Sequence, residues 1–218
     1  MIGIIDYGMS NLRSVQKGFE HEGVSATICT QPSQMEPLAG LVLPGVGAFG
    51  DAMYNLKRTG FLQALKRWVR EGRPLLGICL GMQLLASISE ENGPHVGLHF
   101  IPGEVRRFRG KFKIPHVGWN NLVDITSHPL LTGISTDDYF YFVHSYYVVP
   151  TDPAAVLASC DYNGLFAAVI GQGSVFGTQF HPEKSGACGL RILRNFADIC
   201  GEEEGACGER TLLGRTGD

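Results

Sequence analysis

The sequence predicts a single α/β domain built as a three-layer sandwich, with helices covering both faces of a mixed, mostly parallel central sheet. Short apolar runs at residues 2–5, 24–29 and 40–43 alternate with segments whose apolar residues recur at helical spacing. A strand, a helix and a second strand in this order form a βαβ unit, whose strands are parallel and joined by a right-handed crossover. Farther along, β-like runs follow one another without helices between them, so antiparallel strands are expected beside the parallel core.

Composition and charge are those of an ordinary globular protein. The 218 residues are 44% hydrophobic and 18% charged, with a formal net charge of −3. This balance offers no basic surface for nucleic acid or for an anionic membrane. No apolar run approaches the ~20 residues of a membrane-spanning helix, and the amino terminus lacks the basic region of a signal peptide. The six cysteines form no C-x-x-C pair or disulfide pattern, so the expected compartment is the cytoplasm.

The first helix of the βαβ unit has recognisable ends. Ser10 can cap its amino terminus, and its apolar face consists of Leu12, Val15 and Phe19. Gly23 closes the helix before the second strand begins.

A glycine-rich loop follows the apolar run at residues 40–43. Residues 44–50 contain three glycines, so the backbone there has positive φ angles or approaches another group closely. The loop is either an ordinary strand–helix connection or a set of exposed amides that bracket a ligand. Ligands in open α/β sheets bind at this kind of position, beyond the carboxyl ends of the strands. Residues 53–69 then supply helical apolar faces.

Residues 75–85 are the most informative stretch of the chain. An apolar run leads into Cys79, which has a glycine two residues to either side, and helical apolar spacing continues through Leu80, Leu84 and Ile88. A strand that turns sharply into a helix through a G-x-Cys-x-G tip is the cysteine counterpart of a nucleophile elbow. The amino terminus of the helix would offer backbone N–H groups to an oxyanion. Taken alone, the motif is equally compatible with a buried structural cysteine.

The second half of the chain is dominated by β-like runs. These lie at residues 104–108, 115–119, 122–125 and 139–143. A hairpin is expected where Asn163-Gly164 joins residues 154–162 to residues 165–170. A further strand at residues 174–180 ends in His181-Pro182-Glu183.

The domain is expected to end near residue 200. A last apolar stripe on residues 190–197 predicts a helix that covers the sheet. Residues 1–200 are therefore predicted to form one domain, and the glycine- and glutamate-rich residues 201–218 a loosely held tail.

Three side chains that could hydrolyse an amide occur at predicted strand ends. This chemistry requires a thiolate, a histidine that activates it and protonates the leaving amine, and a carboxylate that orients the histidine. Cys79 ends one predicted strand, and His181 and Glu183 follow another. Because the carboxyl ends of parallel strands share one edge of a sheet, we expect these side chains to meet there. The spacing of His95 and His99 would suit a helix, but the surrounding glycines disfavour one, and no metal site is expected.

Three motifs resemble those of the class I, or triad, glutamine amidotransferases. They are Gly-Ile-Cys-Leu-Gly-Met-Gln at 77–83, Pro-Gly-Val-Gly at 44–47 and Gln-Phe-His-Pro-Glu at 179–183. Within that family, four stretches of this chain resemble the glutaminase subunit of imidazole glycerol phosphate synthase. They lie at residues 6–15, 44–49, 115–120 and 141–146. The resemblance covers about residues 1–200 and implies a flavodoxin-like arrangement of the predicted sandwich.

The resemblance implies a glutaminase that converts glutamine and water to glutamate and ammonia without a cofactor. In that chemistry Cys79 would form a γ-glutamyl thioester. His181 would act as general base and general acid, and Glu183 would orient its ring.

Contacts to the substrate are implied by the same resemblance. The oxyanion hole would combine the backbone N–H of Leu80 with an amide at Val46 or Gly47. In the family this second donor can point away until a partner subunit signals, so the isolated subunit would be nearly inactive. The remaining contacts to L-glutamine are expected from Gly45, Gln83, Glu91, Ser145 and Tyr146.

Ammonia is useful only when it is passed on, so the resemblance also implies a partner. The partner would be a (β/α)₈-barrel cyclase on a separate chain, which would form a heterodimer with this one. Residues that match the family's docking face are Asn11, Trp119, Tyr141 and Lys184. Without the resemblance, Trp119 and Tyr141 would more often be core aromatic residues.

Other functions remain open at this stage. The nearest are glutaminase subunits that serve pyridoxal phosphate, anthranilate or guanylate synthesis, which residues 115–120 and 141–146 disfavour. A non-catalytic subunit with a decayed site is disfavoured by the intact Cys79, His181 and Glu183. A cysteine peptidase of similar fold is disfavoured because the small glycine-lined loop leaves no obvious groove for an extended substrate.

Overall fold

The computed structural model describes residues 1–8 and 11–201. The predicted helix cap Ser10 and the predicted tail beyond Gly201 lie outside the described residues. Within these residues the strands are β1 (Ile2–Ile5), β2 (Ala26–Cys29), β3 (Gly40–Gly45), β4 (Leu75–Cys79), β5 (Ile88–Ser89), β6 (His95–Val96), β7 (Gly103–Arg107), β8 (His116–Asn121), β9 (Tyr139–His144), β10 (Tyr146–Pro150), β11 (Val156–Asp161), β12 (Leu165–Gln172) and β13 (Val175–Thr178). The α-helices are α1 (Leu12–His21), α2 (Phe49–Arg58), α3 (Phe61–Arg70), α4 (Leu80–Leu84) and α5 (Gly186–Ile199).

A seven-stranded sheet forms the centre of the protein, in the order β11-β12-β13-β4-β3-β1-β2. The strands from β13 to β2 are parallel, whereas β12 runs antiparallel to both β13 and β11. The predicted α/β class with a mixed, mostly parallel sheet is therefore confirmed. In this order β4 lies between β3 and β13, so the carboxyl ends of these three strands are adjacent. The loop after β3, Cys79 and the segment after β13 consequently meet at one edge.

Both faces of the central sheet are buried, which produces three layers. One apolar cluster joins the sheet to α1 and α5 and includes Ile2, Ile4, Phe19, Val42, Ile78 and Leu193. The other joins the sheet to α2 and α3 and includes Ile5, Leu41, Leu43, Leu56, Leu65 and Leu75. Burial on both faces explains why β1, β3 and β4 are nearly continuous apolar runs.

The β-like runs between residues 103 and 149 do not extend the central sheet, contrary to the sequence-based expectation. β7 joins β10, β5 and β6 in a four-stranded sheet, and β8 pairs with β9 in a separate two-stranded sheet. The physical reason is visible along β7, where buried and exposed residues alternate. A strand with one polar face cannot enter a sheet that is covered on both sides.

Two further local predictions are wrong. Residues 122–125 do not form a strand, since Val123 makes only an isolated bridge to Ser159. Ile88 does not continue the helix after Cys79 but begins β5, because α4 ends at Leu84. No helix in the part of the chain that the structure describes is both long enough and apolar enough to cross a membrane.

Candidate active site

Cys79 occupies a strained elbow between β4 and α4. Its φ and ψ angles are 54° and −108°, an unusual conformation for a residue with a side chain. The flanking glycines allow the elbow to pack against the neighbouring strand. A Cβ atom on Gly77 would lie 2.6 Å from the carbonyl oxygen of Gly81, and a Cβ atom on Gly81 would collide with the carbonyl oxygen of Leu43 in β3. The G-x-C-x-G pattern is therefore required by close packing of β3, β4 and α4.

Replacing Gly81 with alanine is expected to lower the free energy of unfolding by about 3 kcal/mol, because the colliding Leu43 oxygen belongs to a paired central strand. Urea denaturation would measure the change. The matched control is Gly173→Ala, where φ is 59° and where, among the described residues other than its two chain neighbours, no atom lies within 4 Å of the added Cβ. That variant should lose only about 1 kcal/mol, the cost of a left-handed backbone. Equal losses in the two variants would contradict the packing argument.

His181 follows β13 and is held by contacts on both sides. Its backbone N–H donates to the carbonyl of Tyr141 at 3.0 Å. The Ser185 hydroxyl donates to the His181 carbonyl at 2.6 Å and accepts from the Tyr141 N–H at 3.0 Å. The imidazole Nδ1 lies 2.8 Å from Oε1 of Glu183, and both side chains are almost completely buried. Ser185 thus attaches the segment that contains His181 to β9. No local sequence signal indicates this role.

The environment of His181 favours its charged form. Burial alone lowers the pKa of His181, but hydrogen bonds to Cys79 and Glu183 and the charges of both partners outweigh it and raise the pKa to about 9. At neutral pH an imidazolium therefore lies between the sulfur of Cys79 and the carboxylate of Glu183. The second carboxylate oxygen, Oε2 of Glu183, is buried and has no hydrogen-bond partner among the described residues.

A cavity of about 360 Å³ opens over Cys79 and His181. It collects most of the residues that were predicted from the sequence to take part in catalysis and substrate binding. Its lining consists of Val46, Gly47, Cys79, Leu80, Gln83, Glu91, Pro115, Val143, His144, Ser145, Tyr146 and His181.

Two of the predicted site residues do not line this cavity. Glu183 lies behind His181 and contacts its Nδ1. Gly45 is buried in β3, where a Cβ atom would lie 2.7 Å from the Tyr7 hydroxyl and 3.0 Å from the backbone nitrogen of Gly81. The structure thus explains Gly45 by close packing beneath the elbow.

The glycine-rich loop after β3 borders the cavity on the side of Cys79. Gly47 has a φ angle of 98°, which only glycine adopts readily, and Val46 is 43% exposed. Below the loop, the buried Tyr7 hydroxyl donates to the carbonyl of Pro44 at 2.9 Å. Burial raises the pKa of Tyr7, and a thiolate at Cys79 raises it further. Tyr7 therefore remains a neutral donor that anchors the start of the loop, while the loop's tip stays accessible.

Glu91 lines the cavity and also contacts the start of the helix that follows the glycine-rich loop. Its Oε2 accepts a hydrogen bond of 2.8 Å from the N–H of Phe49, the first residue of α2. A carboxylate at a helix amino terminus is electrostatically favourable. Glu91 can therefore hold the helix that follows the loop and also present negative charge to the cavity.

A buried amide network lies beneath Cys79. The Nε2 group of Gln83 donates to the carbonyl of Tyr146 at 2.9 Å and to Oε1 of Gln179 at 3.2 Å. The Nε2 group of Gln179 lies 3.8 Å from the Cys79 sulfur. Gln179 belongs to the motif at residues 179–183, but the motif indicates no role for it. The residues that Gln179 contacts in the structure, Gln83 and Cys79, are distant from it in sequence. The same holds for His144, which lines the cavity.

The predicted docking residues lie on the protein surface or near it. Trp119 on β8 is 56% exposed and contacts the half-buried Tyr141 on β9, with ring centroids 6.0 Å apart. Asn11 and Lys184 are also exposed. At this exposure Trp119 does not belong to the hydrophobic core.

The chain is similar to known proteins over nearly its whole length. Residues 3–200 match the family model described as glutamine amidotransferase class-I. The chain belongs to the class I glutamine amidotransferase family. It is 52% identical over 206 residues to the imidazole glycerol phosphate synthase subunit HisH of Syntrophotalea carbinolica, covering 91% of this chain and 100% of that protein. It is also 52% identical over 209 residues to the HisH subunit of Halobacterium salinarum, covering 93% of this chain and 94% of the relative.

Solved structures support the fold independently. The chain resembles the crystal structure of a glutamine amidotransferase with a TM-score of 0.72 and 20% identity, over 92% of this chain and 98% of the other. It also resembles the structure of PurLQS from Thermotoga maritima with a TM-score of 0.71 and 18% identity, over 91% of this chain and 97% of the other. At these identities the likeness concerns the fold. The predicted family is thus confirmed by the family model and by the HisH relatives.

Proposed function

We propose that the chain is the glutaminase subunit of an imidazole glycerol phosphate synthase, which hydrolyses L-glutamine and passes the ammonia to a (β/α)₈-barrel cyclase subunit. The observation that carries the proposal is the placement of Cys79, at a strained elbow, in one cavity with a histidine whose Nδ1 is held by Glu183 at 2.8 Å. The HisH relatives, similar over almost their whole length, support the subfamily.

In the first half of the reaction, the Cys79 thiolate attacks the side-chain amide carbon of glutamine. The C–S bond forms and the carbonyl π-electrons move to oxygen, which gives a tetrahedral oxyanion. The His181 imidazolium donates a proton to the amide nitrogen, the C–N bond breaks, and ammonia leaves. A γ-glutamyl thioester remains on Cys79, and His181 is neutral.

In the second half, water replaces the ammonia. Neutral His181 removes a proton from the water as the oxygen attacks the thioester carbon. The C–S bond then breaks, glutamate is released, and the Cys79 thiolate and the His181 imidazolium are restored. Glu183 stays ionised throughout, stabilises the imidazolium and keeps its Nδ1 proton directed away from the substrate.

The developing oxyanion requires two backbone donors. We assign these to the N–H of Leu80, directly after the nucleophile, and to an amide of Val46 or Gly47. The accessible tip of the glycine-rich loop supports a donor that can turn toward or away from the oxyanion. One missing donor costs about 2.7–4 kcal/mol, on the order of a hundred- to a thousand-fold in rate.

The polar groups around the cavity suit the two charges of free glutamine. We assign the α-ammonium group to Glu91 and the α-carboxylate to backbone amides at Ser145 and Tyr146. Gln83 also lines the cavity. A volume of about 360 Å³ is small for an extended peptide, so a single amino acid is the better occupant.

We propose that the cyclase docks on the surface around Trp119 and Tyr141, with Asn11 and Lys184 at its margin, to form a heterodimer with lyase activity. The nucleophile has to remain a free thiol, which fits the reducing cytoplasm.

Adding the cyclase together with its nucleotide ligand is expected to stimulate glutamine hydrolysis by about a hundredfold or more, because docking would bring the second oxyanion donor into place. The measurement is glutamate production by the isolated chain and after addition of each candidate synthase in turn. The candidates include those that serve pyridoxal phosphate, anthranilate and guanylate synthesis. Equal activity with and without the cyclase would contradict the gated oxyanion hole, and stimulation by another synthase would reassign the pathway.

A further inference from the structure

Two buried histidines beside the cavity have no part in the reaction described above. His116 on β8 and His144 on β9 are cross-strand partners and are only 3% and 6% exposed. Nδ1 of His116 lies 3.1 Å from Nε2 of His144. The His116 ring is stacked between Phe142 and Tyr162, with centroids 4.9 and 3.9 Å away.

The hydrogen bonds of this pair determine where its protons lie. Nδ1 of His144 is 2.8 Å from the carbonyl oxygen of Tyr146, which can only accept. Nδ1 therefore carries a proton, and in a neutral ring Nε2 is then an acceptor. His116 consequently donates from its own Nδ1 to His144. Burial lowers the pKa of His144 to about 3 and that of His116 to about 4, so both rings are neutral at physiological pH.

The Tyr146 carbonyl belongs to a bend that joins two different sheets. β9 ends at His144, β10 begins at Tyr146, and Ser145 is the only residue between them. The Ser145 carbonyl accepts from the N–H of Phe108 at 3.0 Å. The Tyr146 carbonyl accepts from both His144 and Gln83. Because a peptide group is planar, the bond to the Ser145 carbonyl sets the direction of the Tyr146 N–H, and the bonds to the Tyr146 carbonyl set that of the Tyr147 N–H, so both peptide planes that flank Tyr146 are held.

We propose that His144 is a positioning residue for the α-carboxylate of glutamine, and that His116 sets its tautomer. His144 holds the peptide plane that follows Tyr146, and it thereby keeps the bend that carries the N–H groups assigned to the carboxylate in its place at the cavity. The inference rests on the proposed glutaminase function, since it assigns glutamine to this cavity.

Protection of Cys79 by glutamine tests this role without requiring turnover. Iodoacetamide has no carboxylate, and its reaction with Cys79 would be followed by mass spectrometry of the Cys79 peptide in the full-length chain. In His144→Phe, which keeps an aromatic ring but lacks the donor, the glutamine concentration for half-protection should rise about tenfold. The alkylation rate without glutamine should stay within about twofold. In His144→Asn, whose amide nitrogen can replace Nδ1, half-protection should return to within about threefold of the wild-type value.

The matched control is His128→Phe. His128 is half-buried and is not among the residues that line the cavity, and its Nδ1 accepts from the backbone two residues ahead, at the N–H of Leu130. It should leave half-protection unchanged. An unchanged value in His144→Phe, an equal rise in the control, no rescue by asparagine, or a slower alkylation without glutamine would each overturn the proposal.

Two further outcomes have distinct meanings. If His144→Phe does not fold, His116→Phe replaces it. That variant keeps the stacked ring but removes the donor to His144, and an unchanged half-protection there would overturn the proposal. If glutamine does not protect the wild-type chain at all, the proposed glutaminase function fails before the role of His144 is reached.

Discussion

Replacing Cys79 with serine is expected to reduce glutamine hydrolysis by about 10⁵-fold or more, because the hydroxyl of serine is a much weaker nucleophile and cannot form an ion pair with His181. Substitution of a nucleophile generally removes almost all of the rate enhancement that the nucleophile and the residues acting with it provide together. The assay would measure glutamate formation in the presence of the cyclase and its ligand. The free energy of unfolding should change by less than about 1 kcal/mol, because serine has nearly the same size and can occupy the same backbone conformation.

The matched control for this substitution is Cys188→Ser. Cys188 is half-buried on α5 and its thiol donates to backbone carbonyls of Tyr139 and Ser185, bonds that a hydroxyl can also make. This variant should retain glutaminase activity within about twofold. Undiminished glutamine hydrolysis in Cys79→Ser would rule out the thioester mechanism. A parallel loss in Cys188→Ser would show that the effect is not specific to the nucleophile.

Replacing Glu183 with glutamine is expected to lower the maximal rate by roughly 10⁴-fold, because an amide in this place can donate to Nδ1 and favour the wrong tautomer of His181. The substitution also removes a hydrogen bond and a charge that raise the pKa of His181. The imidazolium that protonates the leaving ammonia is lost as the pH rises through the His181 pKa, about 9 in the wild-type chain. The alkaline limb of the pH–rate profile should therefore move to lower pH in the variant.

The same titration contributes to folding. Because the pKa of His181 is raised above its unfolded value, its stabilising contribution is fully present below about pH 6.5 and is lost as the pH rises through about 9. Glu183→Gln should flatten this part of the stability profile, as measured by urea denaturation at several pH values. The matched control is Glu22→Gln, which changes the surface pair of Glu22 with Nδ1 of His21, 3.1 Å apart. An alkaline limb at the same pH in wild-type and Glu183→Gln chains would argue against Glu183 as the partner of His181.

The local sequence indicated the strand that ends at Cys79 and the helix that follows it. The apolar run before Cys79 and its two flanking glycines indicated the elbow, although that motif taken alone fitted a buried structural cysteine equally well. His181 and Glu183 could be predicted to lie near Cys79, because parallel strands bring their carboxyl ends to one edge of the sheet. The three-layer arrangement also followed from local pattern, since strands buried on both faces are continuously apolar.

Only the tertiary structure decided how the second half of the chain is arranged. Alternation along β7 and β8 indicates one buried face but does not specify which sheet provides it, so residues 103–149 were assigned to the wrong sheet. The contacts of Gln179 with Cys79, of Glu91 with Phe49, and of Gln83 with Tyr146 each join residues at least 42 positions apart. The tautomers of His116 and His144 likewise depend on a cross-strand contact. The sequence by itself predicted the side chains that we propose to carry the reaction, because their motifs are local. Packing between distant segments decided what holds those side chains and the substrate in place.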